Sequence, residues 1–271
     1  MTGERDAGRD ASRPDASADA NPASDAGSDA ASVDAHAGFD CTAAIFCEDF
    51  ETHALGVAPG APWTVSENMG HVVVDDAMAA SGSRALSVTT DDGAGTYRRA
   101  YAVLAGAPVF PAAADAMYGR MRVYVVATPP GSVHWTNVQG EGDVPGMTFR
   151  ALYRYGGQVD GHLMANYETS GAASDCWQHS GTVMPTGRWA CLEWHFDRAS
   201  DAMDLWLDGA PLADLSVRGV GEGCIGHDTG DHWYAPVFDR VSLGWEHYQA
   251  VSMRRMWIDD VAIDDTRIGC D

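Results

Sequence analysis

The chain contains no lysine, because its 17 basic residues are all arginine. A lysine Schiff base and the lysine of a phosphate-binding loop are therefore excluded, and pyridoxal enzymes and P-loop nucleotidases with them. Positive charge is also scarce, since the 271 residues carry a formal net charge of −22. Binding to a phosphate backbone depends on clustered basic side chains, so we expect no nucleic-acid partner.

Two common motifs and one kind of pattern are missing as well. The sequence has no Cys-x-x-Cys pair, which excludes zinc ribbons and thioredoxin-like redox sites. It has no Gly-x-Ser-x-Gly nucleophile elbow, which argues against a serine hydrolase. A helical period of apolar residues is almost absent, and this predicts a β protein.

Residues 1–37 differ in composition from the rest of the chain. They are rich in Ala, Asp and Ser, contain no aromatic residue, and hold three Arg and eight acidic residues. Such a segment cannot bury enough apolar surface to offset the entropy of ordering it. We expect residues 1–37 to be a disordered acidic linker and residues 38–271 to form one domain.

The location of the protein is predicted from this linker and from the cysteines. The start of the chain lacks the apolar run of a secretory signal. The acidic spacer nevertheless resembles the stalks of surface or lipid-anchored bacterial proteins, and if it is one, we expect the true start codon or a signal segment to be missing from this chain. We expect an extracellular or cell-surface monomer, tethered through the linker and not spanning the membrane.

Six cysteines lie in the predicted domain, an even number that favours disulfides over reduced thiols. They are Cys41, Cys47, Cys176, Cys191, Cys224 and Cys270. Their connectivity is not derivable from spacing. A bridge from Cys41 or Cys47 to Cys270 would join the two ends of the domain.

Short strand-like runs fill the domain, and nine Trp residues supply an ample core. Turns are expected at Pro129-Pro130-Gly131, at Gly156-Gly157 and at Asp208-Gly209, the last a strong hairpin signal. The pattern predicts an all-β, two-sheet antiparallel jelly-roll sandwich with a concave cleft. The expected strands are Val72–Val74, Ala85–Thr89, Tyr97–Leu104, Tyr118–Val126, Val133–Gln139, Met147–Tyr155, His162–Tyr167, Trp189–Phe196, Met203–Leu207, Ala213–Val217, Val237–Trp245 and Met256–Ile263.

The two ends of the domain look like complementary strands that carry carboxylates. One run is Phe46-Cys47-Glu48-Asp49-Phe50-Glu51 and the other is Met256-Trp257-Ile258-Asp259-Asp260-Val261-Ala262-Ile263. We expect them to pair, which would bring the first and last strands together. Acidic residues at this join suggest a site for a hard cation.

Five motifs, in order along the chain, resemble known families. Residues 49–51, 80–88 and 257–261 resemble the concanavalin-like jelly rolls of carbohydrate-binding modules and polysaccharide lyases. Residues 187–195 and 243–248 look like the core domain of the cellulose-induced secreted protein family, whose relatives include glucuronan lyases. The resemblance covers about residues 39–270. It implies a polysaccharide partner.

The resemblance also implies a structural calcium ion. The ligands carried over are Glu51, backbone oxygens near Ser81 and Ser83, and Asp259 or Asp260. Calcium takes six to eight oxygen ligands at about 2.3–2.6 Å, and no His or Cys lies beside these carboxylates to favour zinc. The alternative is that the two aspartates form a solvated strand edge.

The run Val133–Gly140 is similar to the Gln-Ile-His-Gly strand of alginate-type lyases. Alternation places Trp135, Asn137 and Gln139 on one face, with Asn137 at the family's Gln and Gln139 at its His. An amide at the histidine position cannot accept a proton, so this departure puts the base in question.

The roles implied for β-elimination beside a uronate are carboxylate neutralisation, a base and an acid. Asn137, Gln139 and Arg99 would neutralise the carboxylate, with Tyr248, Tyr153 or His247 as base and acid. Substrate would be held by Trp135, Arg150, Tyr153, Tyr155, Trp245 and Glu246. The alternatives are a binding module that stacks sugars without reaction, or a structural surface protein.

Overall fold

The computed structural model describes residues 41, 43–92, 97–112, 115–171, 174–226 and 230–270. These residues fall within one compact unit, Ala35–Asp271. The linker expected at residues 1–37 lies outside them. The described part contains a single short 3₁₀ helix, Ala213–Leu215, and is otherwise β structure and loops. None of its helices is long and apolar enough to cross a membrane.

Two antiparallel sheets form a sandwich, as the sequence predicts. The first sheet contains β1 (Phe46–Glu48), β3 (Gly70–Asp75), β4 (Ala85–Thr90), β6 (Ala116–Val125), β11 (Trp189–Asp197), β12 (Ala202–Leu207), β13 (Ala210–Pro211), β14 (Val217–Arg218) and β17 (Arg255–Asp264). The second contains β2 (Trp63–Asn68), β5 (Arg98–Ala105), β7 (Trp135–Asp143), β8 (Arg150–Gln158), β9 (His162–Ser170), β10 (Asp175–Val183), β15 (Gly223–Ile225) and β16 (Val237–His247).

The order of strands in the second sheet is β15-β10-β9-β8-β7-β16-β5-β2. The order along the first is β13-β12-β11-β6-β17-β4-β3, with β1 paired to β17 and β14 to β12. Strands that are distant in sequence are therefore neighbours in both sheets, as in a jelly roll.

The predicted pairing of the two ends is confirmed. Strand β1 runs antiparallel to β17, with Phe46 opposite Ile263 and Glu48 opposite Val261. Phe50 and Val261 are both wholly buried in the core that fills the space between the sheets. Alternate residues of each strand face that core. This fixes the register of the pairing, because a shift by one residue would turn the apolar side chains towards solvent.

The Asp208-Gly209 hairpin is also confirmed. Leu207 pairs with Ala210, and both loop residues have positive φ, 50° and 78°. These values fit the two-residue turn that matches the twist of paired strands.

The turn expected at Gly156-Gly157 is wrong, because both glycines lie inside β8. A Cβ on Gly156 would lie 1.9 Å from the backbone oxygen of Trp135, and one on Gly157 would lie 2.3 Å from the Trp135 ring. These glycines therefore allow close packing of two strands rather than a reversal of the chain.

All six cysteines form disulfides, Cys41–Cys47, Cys176–Cys224 and Cys191–Cys270. The suggested bridge from Cys41 or Cys47 to Cys270 is wrong. Cys270 instead joins the C-terminal segment to β11, with 5.9 Å between the two Cα atoms. The ends of the domain are held together by strand pairing, not by a covalent link between them.

Candidate functional site

The outer face of the second sheet carries a continuous layer of polar and aromatic side chains, which we call the cleft face. Its centre is built by Arg99 on β5, Gln139 on β7, Arg154 on β8, Glu168 on β9 and Glu246 on β16. These strands are consecutive neighbours in the sheet. Side chains that are far apart in sequence therefore meet on one surface.

A β-bulge at Asn137 decides which side chains of β7 reach this face. Thr136 and Val138 pair with consecutive residues of β8, so Asn137 between them is the extra residue. A bulge shifts the alternation of the residues beyond it. Gln139 consequently lies on the cleft face, whereas the Asn137 amide is buried and donates a hydrogen bond to the carbonyl of Gly244 (2.9 Å).

Arg154 is the centre of the hydrogen-bond network on the cleft face. Its side chain is only 5% exposed and pairs with the carboxylates of Glu168 and Glu246. Its Nε also donates to Gln139 Oε1 (2.7 Å). Burial alone would lower the pKa of Arg154, but Tyr248 and the two carboxylates outweigh it and raise the pKa. The guanidinium therefore stays charged and ties four adjacent strands together.

Two tyrosines donate their hydroxyl groups to Glu246. Tyr248 donates to Oε1 (2.6 Å) and Tyr97 donates to Oε2 (2.7 Å). Burial raises the pKa of both phenols above its usual value, and the contact with Glu246 raises it further. Both hydroxyls therefore keep their protons at neutral pH and remain hydrogen-bond donors.

One depression of about 400 Å³, which we call the His134 depression, opens beside Tyr248 and Glu168. The ring centroids of His134 and Tyr248 are 5.5 Å apart. Burial, and then the charge of Arg154, lower the pKa of His134 to about 3. The imidazole is therefore neutral near pH 7 and is a weaker base than an ordinary histidine. Trp177 and His179 line the adjoining part of the surface.

A second depression of about 260 Å³, which we call the Tyr101 depression, lies on the other side of this network. Its lining is mostly polar and includes Arg99 and Tyr101 on β5, Gln139 and Glu141 on β7, and Ser242 on β16. Two concave sites therefore flank the pair formed by Arg154 and Glu246.

The structure places five of the predicted cleft residues on the cleft face. They are Arg99, Gln139, Arg150, Glu246 and Tyr248. Arg150 lies at the edge of the network, where it pairs with Glu141 (3.3 Å) and Asp239 (2.8 Å). These positions leave the predicted chemical roles open to experiment.

Four aromatic residues expected to hold substrate lie instead in the core between the sheets, so that expectation is wrong for Trp135, Tyr153, Tyr155 and Trp245. Trp135 stacks on Trp245 with ring centroids 4.9 Å apart, and neither ring is more than 1% exposed. Tyr153 and Tyr155 alternate with Arg154 along β8 and so face the opposite way. Their hydroxyls donate to core carbonyls, at 2.8 Å and 3.0 Å.

His247 and Asn137 also lie away from the cleft face. The Nδ1 atom of His247 accepts a hydrogen bond from Trp245 Nε1 (3.0 Å), and the residue is 1% exposed. Burial, then the charges of Arg98 and Arg254, lower the pKa of His247 to about 4. As arranged, His247, Tyr153 and Asn137 do not reach a ligand on the cleft face.

The residues expected to hold calcium meet around the loop that precedes β4. Glu51 accepts hydrogen bonds from the Ser83 backbone N–H (2.6 Å) and hydroxyl (2.9 Å). Asp259 accepts from the Ser81 backbone N–H (3.2 Å), and Asp260 accepts from the Ser81 hydroxyl (2.6 Å). The carboxylates therefore converge on one loop from both ends of the domain.

Whether this cluster suits a cation depends on the atoms that would coordinate it. The side-chain atoms available as ligands are all oxygens, as calcium requires. The Glu51 and Asp259 oxygens are engaged with N–H groups, however, and the described residues form no group of three His, Cys, Asp or Glu arranged to hold a metal. Calcium at this loop remains a prediction.

Comparison with known proteins identifies the family. A model of polysaccharide lyase-like proteins, described as the Cip1-like core domain, matches residues 49–266. The chain belongs to this Cip1-like family. The match covers nearly the whole described part, so the predicted resemblance is confirmed, and a carbohydrate-related role follows from it at this coarse level.

A solved structure shows the same fold, and a second solved structure is more distantly similar. The structure titled "Cellulose induced protein, Cip1" is 22% identical, with a TM-score of 0.61 over 83% of this chain and 100% of that one. An endo-beta-1,4-glucuronan lyase from the fungus Trichoderma reesei is 14% identical, with a TM-score of 0.49 over 82% of this chain and 96% of that one. No curated protein matches the chain significantly.

Sequence reasoning missed several residues of this Cip1-like cleft. The alternation that groups Trp135 with Gln139 on the cleft side predicts that His134 faces away from the cleft, whereas His134 lines it. The polar segment that contains Trp177 is not among the predicted strands.

The position of Arg154 could have been predicted from the sequence, because it alternates with Tyr153 and Tyr155 along the strand. The face of β8 that carries Arg150 and Arg154 must point away from the core. Tyr101 on β5, and Tyr97 just before that strand, share a face with Arg99 by the same alternation.

Proposed function

We propose that the cleft face binds a polysaccharide chain outside the cell. The observation that carries this proposal is the layer of buried, mutually hydrogen-bonded polar side chains around Arg154, flanked by two depressions. Concave sites lined by aromatic rings and a few well-placed polar groups are typical of ligand sites. Three disulfides support an oxidising, extracellular location.

Sugars are suited to this surface because they offer both hydroxyl groups and apolar ring faces. Hydroxyls can exchange hydrogen bonds with Gln139 and Tyr248, which line the two depressions. Trp177 on β10 lies towards one edge of the cleft face and offers a ring face on which a sugar can stack. The side chains are already fixed by contacts with one another, so little entropy is lost when a glycan binds.

The decisive experiment is retention on a panel of glycans. Glucuronan, alginate, cellulose and other neutral glucans would be tested with the wild-type chain and with Trp177→Ala. Trp189→Ala is the matched control, because Trp189 is a half-buried tryptophan on the opposite sheet. We expect retention on at least one glycan, weakened by Trp177→Ala and unaffected by Trp189→Ala. Absence of retention on every glycan would refute the proposal.

A second candidate, β-elimination on a uronate-containing glycan, is favoured by one observation. Neutral His134 and protonated Tyr248 face the same depression. His134 is the side chain placed to take the C5 proton, but its low pKa makes it a weak base for this step; the C4–O bond would break as the C4–C5 double bond forms, and Tyr248 would protonate the leaving oxygen. Ultraviolet absorbance of the unsaturated product would report the reaction, and we expect Tyr248→Phe to abolish it while retention persists.

Two further expectations belong to this proposal. The acidic linker at residues 1–37 would tether the domain to a surface, and the domain would act as a monomer. Size measurement by light scattering on the full chain checks the second point. A stable dimer would show that a partner subunit must be considered in the cleft.

A further inference from the structure

Arg98 on β5 is a buried arginine for which the described residues provide no carboxylate partner. The residue is 1% exposed, and two of its side-chain nitrogens donate to backbone carbonyls, Nε to Asp91 (3.3 Å) and Nη1 to Tyr97 (3.2 Å). The third nitrogen, Nη2, is buried without a hydrogen-bond partner among these residues. An arginine keeps its charge at neutral pH, and an uncompensated charge inside a protein is strongly destabilising. The Arg98 guanidinium therefore requires a source of negative charge.

His247 on β16 provides a second buried N–H donor. Its Nδ1 atom accepts the hydrogen bond from Trp245 Nε1, so the proton of the neutral ring is on Nε2. The Nε2 atom is buried and has no hydrogen-bond partner in the described part of the chain. Leaving a buried donor unpaired costs free energy, and native structures rarely do so without a reason.

These two donors lie next to each other between the sheets. His247 is directly opposite Arg98 in the pairing of β16 with β5. Trp245 and Ala100, which share their face of the sheet, are buried in the core, so both side chains point inward. Side chains directly opposite each other have Cβ atoms about 4.5–5.5 Å apart. Burial, and then the charge of Arg98, lower the pKa of His247, which agrees with this proximity.

Arg254, just before β17 of the first sheet, brings a second cation to the same place. It is 9% exposed, and its charge follows burial and Arg98 as a cause of the low pKa of His247. Its Nη1 atom donates to the carbonyls of Ala127 (3.4 Å) and Thr128 (3.1 Å), and its Nε atom donates to the carbonyl of Ser252 (2.9 Å). The hydrogen-bond partners of both guanidinium groups are therefore neutral oxygens.

The carboxylates that follow β4 in the chain are engaged elsewhere. Asp91 lies 3.6 Å from His71 at the protein surface, where its side chain is 46% exposed. The exposed Asp92 accepts a hydrogen bond from the Met253 backbone N–H (2.5 Å). Burial lowers the pKa of Arg254, and Asp92 opposes this shift only in part. Negative charge from these two aspartates therefore does not balance the buried guanidinium groups.

We propose that this end of the core binds one chloride ion, held by Arg98 Nη2 and His247 Nε2 with Arg254 as the second cation. A single-atom anion accepts hydrogen bonds from both donors, whereas a larger oxyanion would bury further oxygens without partners. A water molecule could accept the same two hydrogen bonds but would leave the charges uncompensated. Glu246 and Tyr248, the chain neighbours of His247, point the other way onto the cleft face, so the ion would support the strand segment that carries them.

The test measures the melting temperature of the full chain at neutral pH while sodium chloride replaces sodium methanesulfonate at constant ionic strength. The constant ionic strength removes general screening, so a remaining effect reports binding of chloride to the folded state. The wild-type chain would be compared with Arg98→Met. Arg188→Met is the matched control, because Arg188 is an exposed arginine that pairs with Asp208.

We expect chloride to raise the melting temperature of wild type and of Arg188→Met by the same few degrees, and to have no effect on Arg98→Met. His247→Phe keeps a ring but removes the N–H donor, and it should need about tenfold more chloride for the same rise. No chloride response in the wild-type chain, or an equal response in Arg98→Met, would overturn the inference. The site is independent of glycan binding, so failure here leaves the proposed function untouched.

A crystallographic measurement on the wild-type chain keeps the inference testable even if Arg98→Met fails to fold. Crystals grown in sodium bromide would be measured at the bromine absorption edge, where bromide, a close substitute for chloride, gives an anomalous signal. We expect a peak in contact with Arg98 Nη2 and His247 Nε2. Bromide found at surface positions only would be adventitious, and it would overturn the buried site.

Discussion

Arg154 and Glu246 lie side by side on the cleft face, with 3.6 Å between Nη2 and Oε1, and their side chains are only 5% and 3% exposed. They come from β8 and β16, which are separated in the sheet by β7. Two charges at this depth lose most of their hydration, so each depends on the other and on the surrounding hydrogen bonds. The cleft face is therefore rigid before any ligand arrives.

The first prediction concerns this pair. Arg154→Met leaves Glu246 and Glu168 without their cation, and breaking a buried pair costs about 3–5 kcal/mol of unfolding free energy. Glu246→Gln should cost less, since one tyrosine hydroxyl can still donate to the amide oxygen, the other can accept from the amide N–H, and Arg154 keeps Glu168 as a partner. Urea unfolding of both variants measures the two costs.

The double variant, Arg154→Met with Glu246→Gln, should be more stable than the sum of the single losses predicts, because the buried charge of Glu246 is removed together with its cation and only Glu168, whose side chain is 39% exposed, keeps an unpaired charge. Arg188→Met serves as the surface control. Its partner is Asp208 and its side chain is 53% exposed, so we expect a loss of about 1 kcal/mol or less. Additive losses in the double variant would show that Arg154 and Glu246 are not coupled.

The second prediction concerns pH. His247 is buried, and its pKa falls from 6.5 to about 4 on folding. Between these values the unfolded chain binds a proton that the folded chain does not, so stability is lost as pH falls from 6.5 towards 4. The slope from this group is about 1.4 kcal/mol per pH unit.

The measurement is the unfolding free energy of wild type and His247→Gln at several pH values across this window. We expect a shallower slope in the variant. His71→Gln is the control, because the His71 side chain is 65% exposed. Identical slopes in wild type and His247→Gln would contradict the assignment of this histidine as neutral in the folded state.

Much of the fold could be predicted from residue patterns. Strands such as β6 and β17 alternate cleanly or carry long apolar runs, and their bounds were predicted within two residues. The strand β2 was missed because it is an edge strand with three exposed residues among six. The strand β10 was missed because polar residues occupy both of its faces.

The cleft was harder to predict, for a local reason. One extra residue at Asn137 reverses which side chains beyond it face outward, and no glycine of β7 lies next to the bulge to mark it. Gln139 was therefore grouped with Trp135, which lies in the core. The pairing of β8 with β7 places Arg154 opposite Gln139, and such a register is set by contacts that one strand does not reveal.

The third prediction concerns the Cys191–Cys270 disulfide, which closes a loop of 79 residues. It holds a C-terminal segment from which Arg267 pairs with buried Glu193 (2.8 Å). Replacing both cysteines by Ala should lower the unfolding free energy by about 2–4 kcal/mol. Urea unfolding checks this. A loss confined to a few tenths of a kcal/mol would mean that strand pairing alone holds the segment.

The fourth prediction concerns calcium at the loop contacted by Glu51 and Asp260. After dialysis against a chelator, added calcium should raise the melting temperature of the wild-type chain, because an ion bound only by the folded state stabilises it. Asp260→Asn should lose this response, and magnesium should not reproduce it. An unchanged melting temperature in calcium would refute the site.

The central claim is that glycan binds on the cleft face of the second sheet, and nuclear magnetic resonance of the indole N–H groups tests it most directly. Trp177 lies on the cleft side, whereas Trp189 and Trp206 lie on the opposite sheet. The protein would be titrated with an oligosaccharide of a glycan that retains it in the panel. This titration should shift the indole N–H signal of Trp177 and leave those of Trp189 and Trp206 unchanged. Shifts at Trp189 or Trp206 with none at Trp177 would place the glycan on the wrong sheet and contradict the account.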